Sequence, residues 1–424
     1  MRRWKHVLVV VASLGLLTAS CGDDGDGGGG ELPEGEFDGV SITFSTSLAE
    51  TEVAAIQQLM DTFEETTGAT VELTQVASGD LPQKLQVEVD SGSHTIHLFA
   101  QDNLALRVLV DDELVEDLSD VEIAEGVNPS LIPEQFDGVQ YFLPYRPNVK
   151  VVYVNKGRFE SAGATPPETV DEFIATAEDL KQEAGQPKVV LQLEGSSGAA
   201  AVTISEWIVS YGGDPLVLND EGSVAAFTTL QQLWQDELLA RESLQSKFDT
   251  DVDYLQGETA WMAQNWPFTS AEFADQGILG EFTVYAGWSG PEQPAHVIGG
   301  EVLGIPRGVS GQQREAAVAL AEYLMSQEAQ EILVSENAWP SVRDDALGQV
   351  PEEQAETFDA IQEALQNGWY RPNVAYWADV DEAINTAVQE VIVNGADVQS
   401  TLDGLHGEIE QAAQAVGAEY PPSS

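Results

Sequence analysis

The residues best suited to hold a small polar molecule are spread along the chain, and the most distinctive group is Asn265-Trp266-Pro267-Phe268. A Trp just ahead of a Pro, at a chain break, is a rigid aromatic plate with a partly solvated face. Two readings of Trp266 compete on these four residues: it caps a hydrophobic core, or it offers its face to a ligand. Residues 252–264, just upstream, read as a helix that Pro267 stops. Asp102 closes a strand-like run over residues 94–102, and the loop of residues 45–50, ending at Glu50, follows another strand. Both lie where open α/β sheets present polar groups to ligands, although Ser and Thr in the loop serve equally as helix caps. His94 and His97 sit three apart and would point to opposite faces of a strand, so they make no metal site. With 72 acidic residues, a carboxylate pair at glycosidase spacing is guaranteed by chance. Counting acids therefore decides nothing about hydrolysis. The chain has no Gly-x-x-x-x-Gly-Lys-Ser/Thr phosphate loop and no Gly-x-Ser-x-Gly elbow, which argues against nucleotide-driven work and serine-hydrolase chemistry.

The ends of the chain say where it works. Residues 1–20 read as an export signal, with a basic start at Arg2, Arg3 and Lys5 and an apolar run over residues 7–17 too short for a permanent span. The following Leu17-Thr-Ala-Ser-Cys21 resembles the bacterial lipobox. Cys21 is the only cysteine of the chain, so no internal disulfide or dithiol motif is available, and lipidation is the use that is left. Residues 21–36 carry Gly and acid and almost nothing to bury, which makes them a flexible tether from a lipid anchor. The expected location is the outer face of the cell membrane. The 17 basic and 72 acidic residues give a net charge of −55, which rules against nucleic acid and anionic membrane as partners. Acids interspersed with abundant apolar residues describe a solvated acidic coat rather than a disordered tail, a pattern suited to salt.

The folded part, from about Phe37, is long enough for two cores. Residues 40–44 alternate like a strand, residues 48–67 have helical spacing, and residues 69–76 form a second strand. Residues 81–91 read as a helix, and residues 104–120 as another. From here the order resembles the first lobe of extracellular solute-binding proteins of sugar ABC importers. The stretches that carry the likeness are Phe136-Asp-Gly-Val-Gln-Tyr-Phe-Leu-Pro-Tyr145, Val151-Val-Tyr-Val-Asn-Lys156, residues 206–214, residues 255–268, Ile298-Gly-Gly-Glu-Val-Leu-Gly-Ile-Pro306, Trp339-Pro340 and Arg371-Pro-Asn-Val-Ala-Tyr-Trp377. The resemblance covers residues 40–415 and is greatest to the trehalose/maltose-binding lipoproteins.

The resemblance implies an α/β, two-lobe periplasmic-binding-protein-like (type II) fold, each lobe a β-sheet flanked by helices, joined by hinges around a ligand cleft. Lobe 1 would comprise residues 37–147 and 300–342, and lobe 2 residues 148–299 and 343–420. Hinges are expected near residues 146–150, 298–302 and 340–345. The resemblance also implies a carbohydrate ligand, partner permease and ATPase subunits, a monomer, no cofactor, no metal and no catalysis. Sugars present apolar C–H faces and a rim of hydroxyls, which calls for aromatic plates plus bidentate polar groups. Trp266, Tyr145, Phe268 and Trp377 are the expected plates; Glu50, Asp102, Glu301 and Arg371 are the polar partners, with Gly300 beside them. One departure stands out: Glu301 occupies the place where the branch commonly has Trp after its Gly-Gly pair. An exported glycosidase, or a binding protein for a polyamine or metal ion, is the alternative.

Overall fold

The computed structural model describes residues 32–48, 52–77, 79–103, 105–337 and 339–421. The signal segment, Cys21 and Glu50 lie outside the described residues. Among the described residues eleven strands follow in chain order: β1 Ser41–Thr46, β2 Thr70–Gln75, β3 Leu98–Asp102, β4 Leu143–Asn148, β5 Val151–Asn155, β6 Val189–Val190, β7 Met262–Asn265, β8 Phe282–Tyr285, β9 His296–Val297, β10 Gly299–Gly304 and β11 Gly368–Trp369. They form a five-stranded sheet ordered β2-β1-β3-β10-β4, a four-stranded sheet ordered β6-β7-β5-β8, and a two-stranded ribbon of β11 and β9. In the first sheet β1 runs parallel to β2 and β3, and β10 is antiparallel to β3 and β4. Each large sheet has its own core. Ile42, Phe44, Phe63, Leu303 and Leu320 pack in the first lobe. Phe173, Trp207, Phe227 and Ile384 pack in the second.

The helix Val53–Thr67 buries the apolar stripe read from its spacing, Leu81–Ser91 is helical as read, and each ends on a left-handed glycine, Gly68 and Gly92. Two helices expected from the sequence are not formed as read. Residues 252–264 divide into a helix, Phe248–Gln256, and the strand β7. Gly257 stops the helix and Glu258 takes a positive φ of 55°. Met262 to Asn265 are then buried on both faces between β5 and β6, and such a central strand shows no alternation. Among the described residues of 104–120, only Arg107–Asp111 is helical. Glu113, at φ 52°, turns the chain so that Val115 bridges Pro306. The third strand is also shorter than read. His97 precedes it as a core side chain whose Nδ1 accepts from the Thr43 backbone N–H at 3.0 Å, and burial lowers its pKa.

The chain passes between the sheets at residues 149–150, between β4 and β5, and again near Ile298, between β8 and β10. Buried side chains hold both passages. Lys150 has no exposed surface and pairs with Glu206 at 3.0 Å; it also donates to Thr203 at 3.0 Å. The other Glu206 oxygen accepts from the Val297 N–H at 3.0 Å, so one carboxylate ties the two passages together. From the first lobe, Asn103 Nδ2 donates to the Gly299 carbonyl at 3.0 Å. Around the third expected passage, residues 340–345, the chain is held to the first lobe. Val342 accepts from Asn128 N–H at 2.8 Å, Arg343 bridges Val127, and the turn Asp344–Gln349 packs on the first-lobe helix Gln327–Asn337. Leu347 and Val350 then share a small apolar cluster with Ala271 of the second lobe's helix Phe268–Asp275, and Glu352–Gln354 also contacts that helix.

Candidate functional site

A cleft of about 920 Å³ lies between the lobes. Strand register builds its first wall. Glu301 in β10 stands opposite Asp102 in β3 on one side and opposite Arg146 in β4 on the other, so three charged residues far apart in sequence become neighbours along one sheet edge. Gly300, beside them, takes a φ of +99°, and a Cβ there would lie 2.0 Å from the Arg146 carbonyl oxygen. Only glycine lets the strand bulge between Glu301 and Val302 form this close to β4.

Arg146 is the centre of this wall. Its Nη1 donates to Glu52 at 3.0 Å, its Nη2 lies 3.4 Å from Glu301, and its guanidinium carbon sits 3.9 Å from the Trp339 ring centroid. The Trp339 indole N–H donates to the same Glu52 oxygen at 2.8 Å. Burial would lower the Arg146 pKa, but Glu301 and Glu52 outweigh it and raise the value. Burial raises the Glu301 pKa; Arg146 opposes that rise, and Asp102 and Glu52 reinforce it. This is a desolvated, negative patch with one guanidinium stacked on an aromatic ring.

Trp266, Pro267 and Phe268 line the facing wall. Trp266 is half-buried and stands at the end of β7, with its ring against Gly299: a Cβ at 299 would come within 3.0 Å of the indole. Its N–H donates to Asn265 Oδ1 at 2.9 Å, and its carbonyl accepts from the Tyr153 hydroxyl at 3.3 Å. Phe268, also half-buried, meets Phe248 edge to face, with centroids 6.3 Å apart. Arg371 is 7% exposed and lines the cleft, with its guanidinium carbon 3.9 Å from the Trp377 ring centroid. Burial lowers its pKa to about 10 against the pull of Asp102 and Asp381.

Of the residues singled out in the sequence, Asp102, Trp266, Phe268, Gly300, Glu301 and Arg371 thus converge on one cleft. Tyr145 does not. Successive residues of a strand face opposite sides, so Arg146 and Asn148 turn to the cleft and Tyr145 turns inward, packed edge-on against Phe44 and Trp339. Trp377 opens the helix Trp377–Ala387 and backs Arg371 from outside the cleft lining. Sequence reading missed Arg146, Glu52, Gln192, Phe248 and Trp339 as cleft residues. Trp339 had a signal available: Trp339-Pro340 repeats the Trp266-Pro267 dipeptide, and the two pairs line the cleft from opposite lobes.

The sequence profile of the bacterial extracellular solute-binding proteins matches residues 58–356. The chain belongs to that family. Solved structures with the same fold as this solute-binding protein include a maltose-bound MalE3 of T. maritima, 21% identical at a TM-score of 0.76, with 88% of this chain and 99% of that one covered. A cyclic alpha-maltosyl-1,6-maltose binding protein from Arthrobacter globiformis is 20% identical at a TM-score of 0.76, covering 89% and 99%. The GacH receptor of Streptomyces glaucescens, solved unliganded and with acarbose, is 18% identical at a TM-score of 0.75, covering 89% and 99%. No curated protein matches the chain. Among the described residues no helix is long and apolar enough to cross a membrane, and no group of three or more His, Cys, Asp or Glu is placed to hold a metal ion.

Proposed function

We propose that this solute-binding protein is the receptor of an ABC importer for a saccharide, an α-glucoside disaccharide or small oligosaccharide, which it binds without chemical change. The observation that carries this reading is the half-buried Trp266 plate on one wall of a cleft whose polar groups are Asp102, Glu301, Arg146 and Arg371, with Trp339 backing Arg146 on the opposite wall. Aromatic faces match the C–H faces of a pyranose, while carboxylates and guanidinium groups each pair with adjacent hydroxyls. Ligand touching both walls favours the closed arrangement about the passages at residues 149–150 and 298, and the closed form is what a permease and its ATPase recognise. Cys21 carries the lipid anchor, and residues 21–36 tether the lobes at the outer face of the membrane. Glu301, in place of the Trp that commonly follows the Gly-Gly pair in the trehalose/maltose branch, shifts preference toward sugars offering more hydrogen-bond donors.

The test is a thermal-shift screen of the mature protein against mono- and disaccharides including trehalose, maltose and sucrose, with a polyamine and a divalent cation as controls. A ligand at a hundred times its Kd adds about 2.7 kcal/mol to the folded state. A saccharide is expected to raise Tm; a response to the amine or the cation alone would refute the sugar reading.

A further inference from the structure

We infer that Gln192 contacts the bound saccharide as a hydrogen-bond acceptor only, so that the cleft requires a donor, such as a hydroxyl, at that position of the ligand; this rests on the function proposed above. Gln192 lines the cleft and is only 3% exposed. Its polarity follows from two backbone groups that have no choice of role. The Trp266 N–H can only donate and the Phe248 carbonyl can only accept. Asn265 lies between them: its Oδ1 accepts from Trp266 at 2.9 Å, and its Nδ2 donates to Phe248 at 2.8 Å and to Thr269 Oγ1 at 2.9 Å. The Asn265 amide therefore has one orientation.

Gln192 meets Asn265 through that same Oδ1, at 3.0 Å, and only an N–H can face it. The second hydrogen of Gln192 Nε2 goes to Asp251 Oδ2, also at 3.0 Å. Both amide hydrogens are spent on the second lobe's own framework. Gln192 Oε1 has no hydrogen-bond donor among the described residues and is not sealed from solvent, so on a residue that lines the cleft it is open to a ligand donor. A ligand that displaces solvent from this oxygen must donate to it or leave it unsatisfied. A ligand ether or fluorine at the same place would set acceptor against acceptor. The network also explains why Asn265 is buried without exposure beside a binding cleft: it fixes the Trp266 plate, the Phe248 carbonyl and the Gln192 amide together.

The test takes the saccharide that binds best and measures Kd by calorimetry for the parent and for its monodeoxy and monofluoro analogues, against the wild-type protein and Gln192→Ala. At one hydroxyl, both analogues are expected to bind the wild type about tenfold more weakly, the worth of a hydrogen bond to a buried group. That penalty should vanish in Gln192→Ala, while the penalties at other hydroxyls stay. Gln192→Met, which keeps the chain length and packing, should behave in the same way and covers the case of an unstable alanine variant. A fluoro analogue that restores affinity, or no hydroxyl coupled to residue 192, overturns the inference while leaving sugar binding intact. Failure of every saccharide to bind removes the proposed function as well.

Discussion

Replacing Trp266 with Ala separates the two roles that its four-residue neighbourhood permits. The backbone at 266 is held independently of the ring, by Asn265 at the N–H and by Tyr153 at the carbonyl. Removal of the indole therefore leaves the strand end in place. The ring is half-buried and rests on Gly299, so only part of its area belongs to the folded interior. A fully buried Trp→Ala change costs about 3–5 kcal/mol, and roughly half of that is expected here. A pyranose stacked on the open face would cover roughly 100 Å² of apolar surface; at about 25 cal/mol per Å² that is about 2.5 kcal/mol. Loss of the ring should weaken saccharide binding about 70-fold. Calorimetric titration gives the affinity and urea unfolding gives the stability. An unchanged affinity together with a stability loss above about 4 kcal/mol would show that Trp266 is a core plug and refute the reasoning.

Lys150→Met removes the partner of Glu206 and leaves a carboxylate that is only 5% exposed at the passage between lobes. Urea unfolding should show a loss of about 3–5 kcal/mol, much of it recovered in the double variant with Glu206→Gln; a loss no larger in the single variant than in the double would contradict this. Burial pushes the Asp251 pKa from 3.8 up to about 7. A raised carboxyl stabilises the folded state below its unfolded value and loses that contribution as pH rises through the folded one. The stability difference between wild type and Asp251→Asn should therefore fall between pH 4 and 7 by up to about 1.4 kcal/mol per pH unit and level off above pH 7; equal slopes for the two proteins would remove Asp251 as the cause. With a net charge of −55, Tm should climb between 0.1 M and 1 M NaCl, as the screening length shrinks from about 10 to 3 Å; a flat profile would mean the acidic coat is not self-repelling.

The local signals in the sequence were legible where one face of an element is wet. The helical spacing of residues 48–67 appears in the structure as the helix Val53–Thr67, with Ile56, Leu59, Met60 and Phe63 buried along one stripe. Strand β7 was not legible, because burial on both faces removes the alternation that marks a strand. The likeness of residues 136–156 and 298–306 to known binding proteins indicated two lobes, and the polar groups at strand ends pointed toward the cleft. Register is what the sequence hides. Nothing local says that Glu301 will lie across from both Asp102 and Arg146, or that Gly299 will support Trp266. Tyr145 and Arg146 show the same limit at one-residue scale: both fit a sugar site by type, and only the facing of β4 decides which one reaches it. Arg146 looked like a hinge residue because it adjoins the passage to the second lobe, yet it is the charged centre of the first wall.

The central claim, that the cleft between the lobes holds an intact saccharide, is tested most directly by calorimetric titration of the mature protein with the best disaccharide from the thermal screen, followed by chromatography of the recovered sugar. One molecule should bind per chain, Trp266→Ala should weaken that binding, and the sugar should return unchanged. Release of hydrolysed sugar, or heat with no defined stoichiometry, would contradict the account.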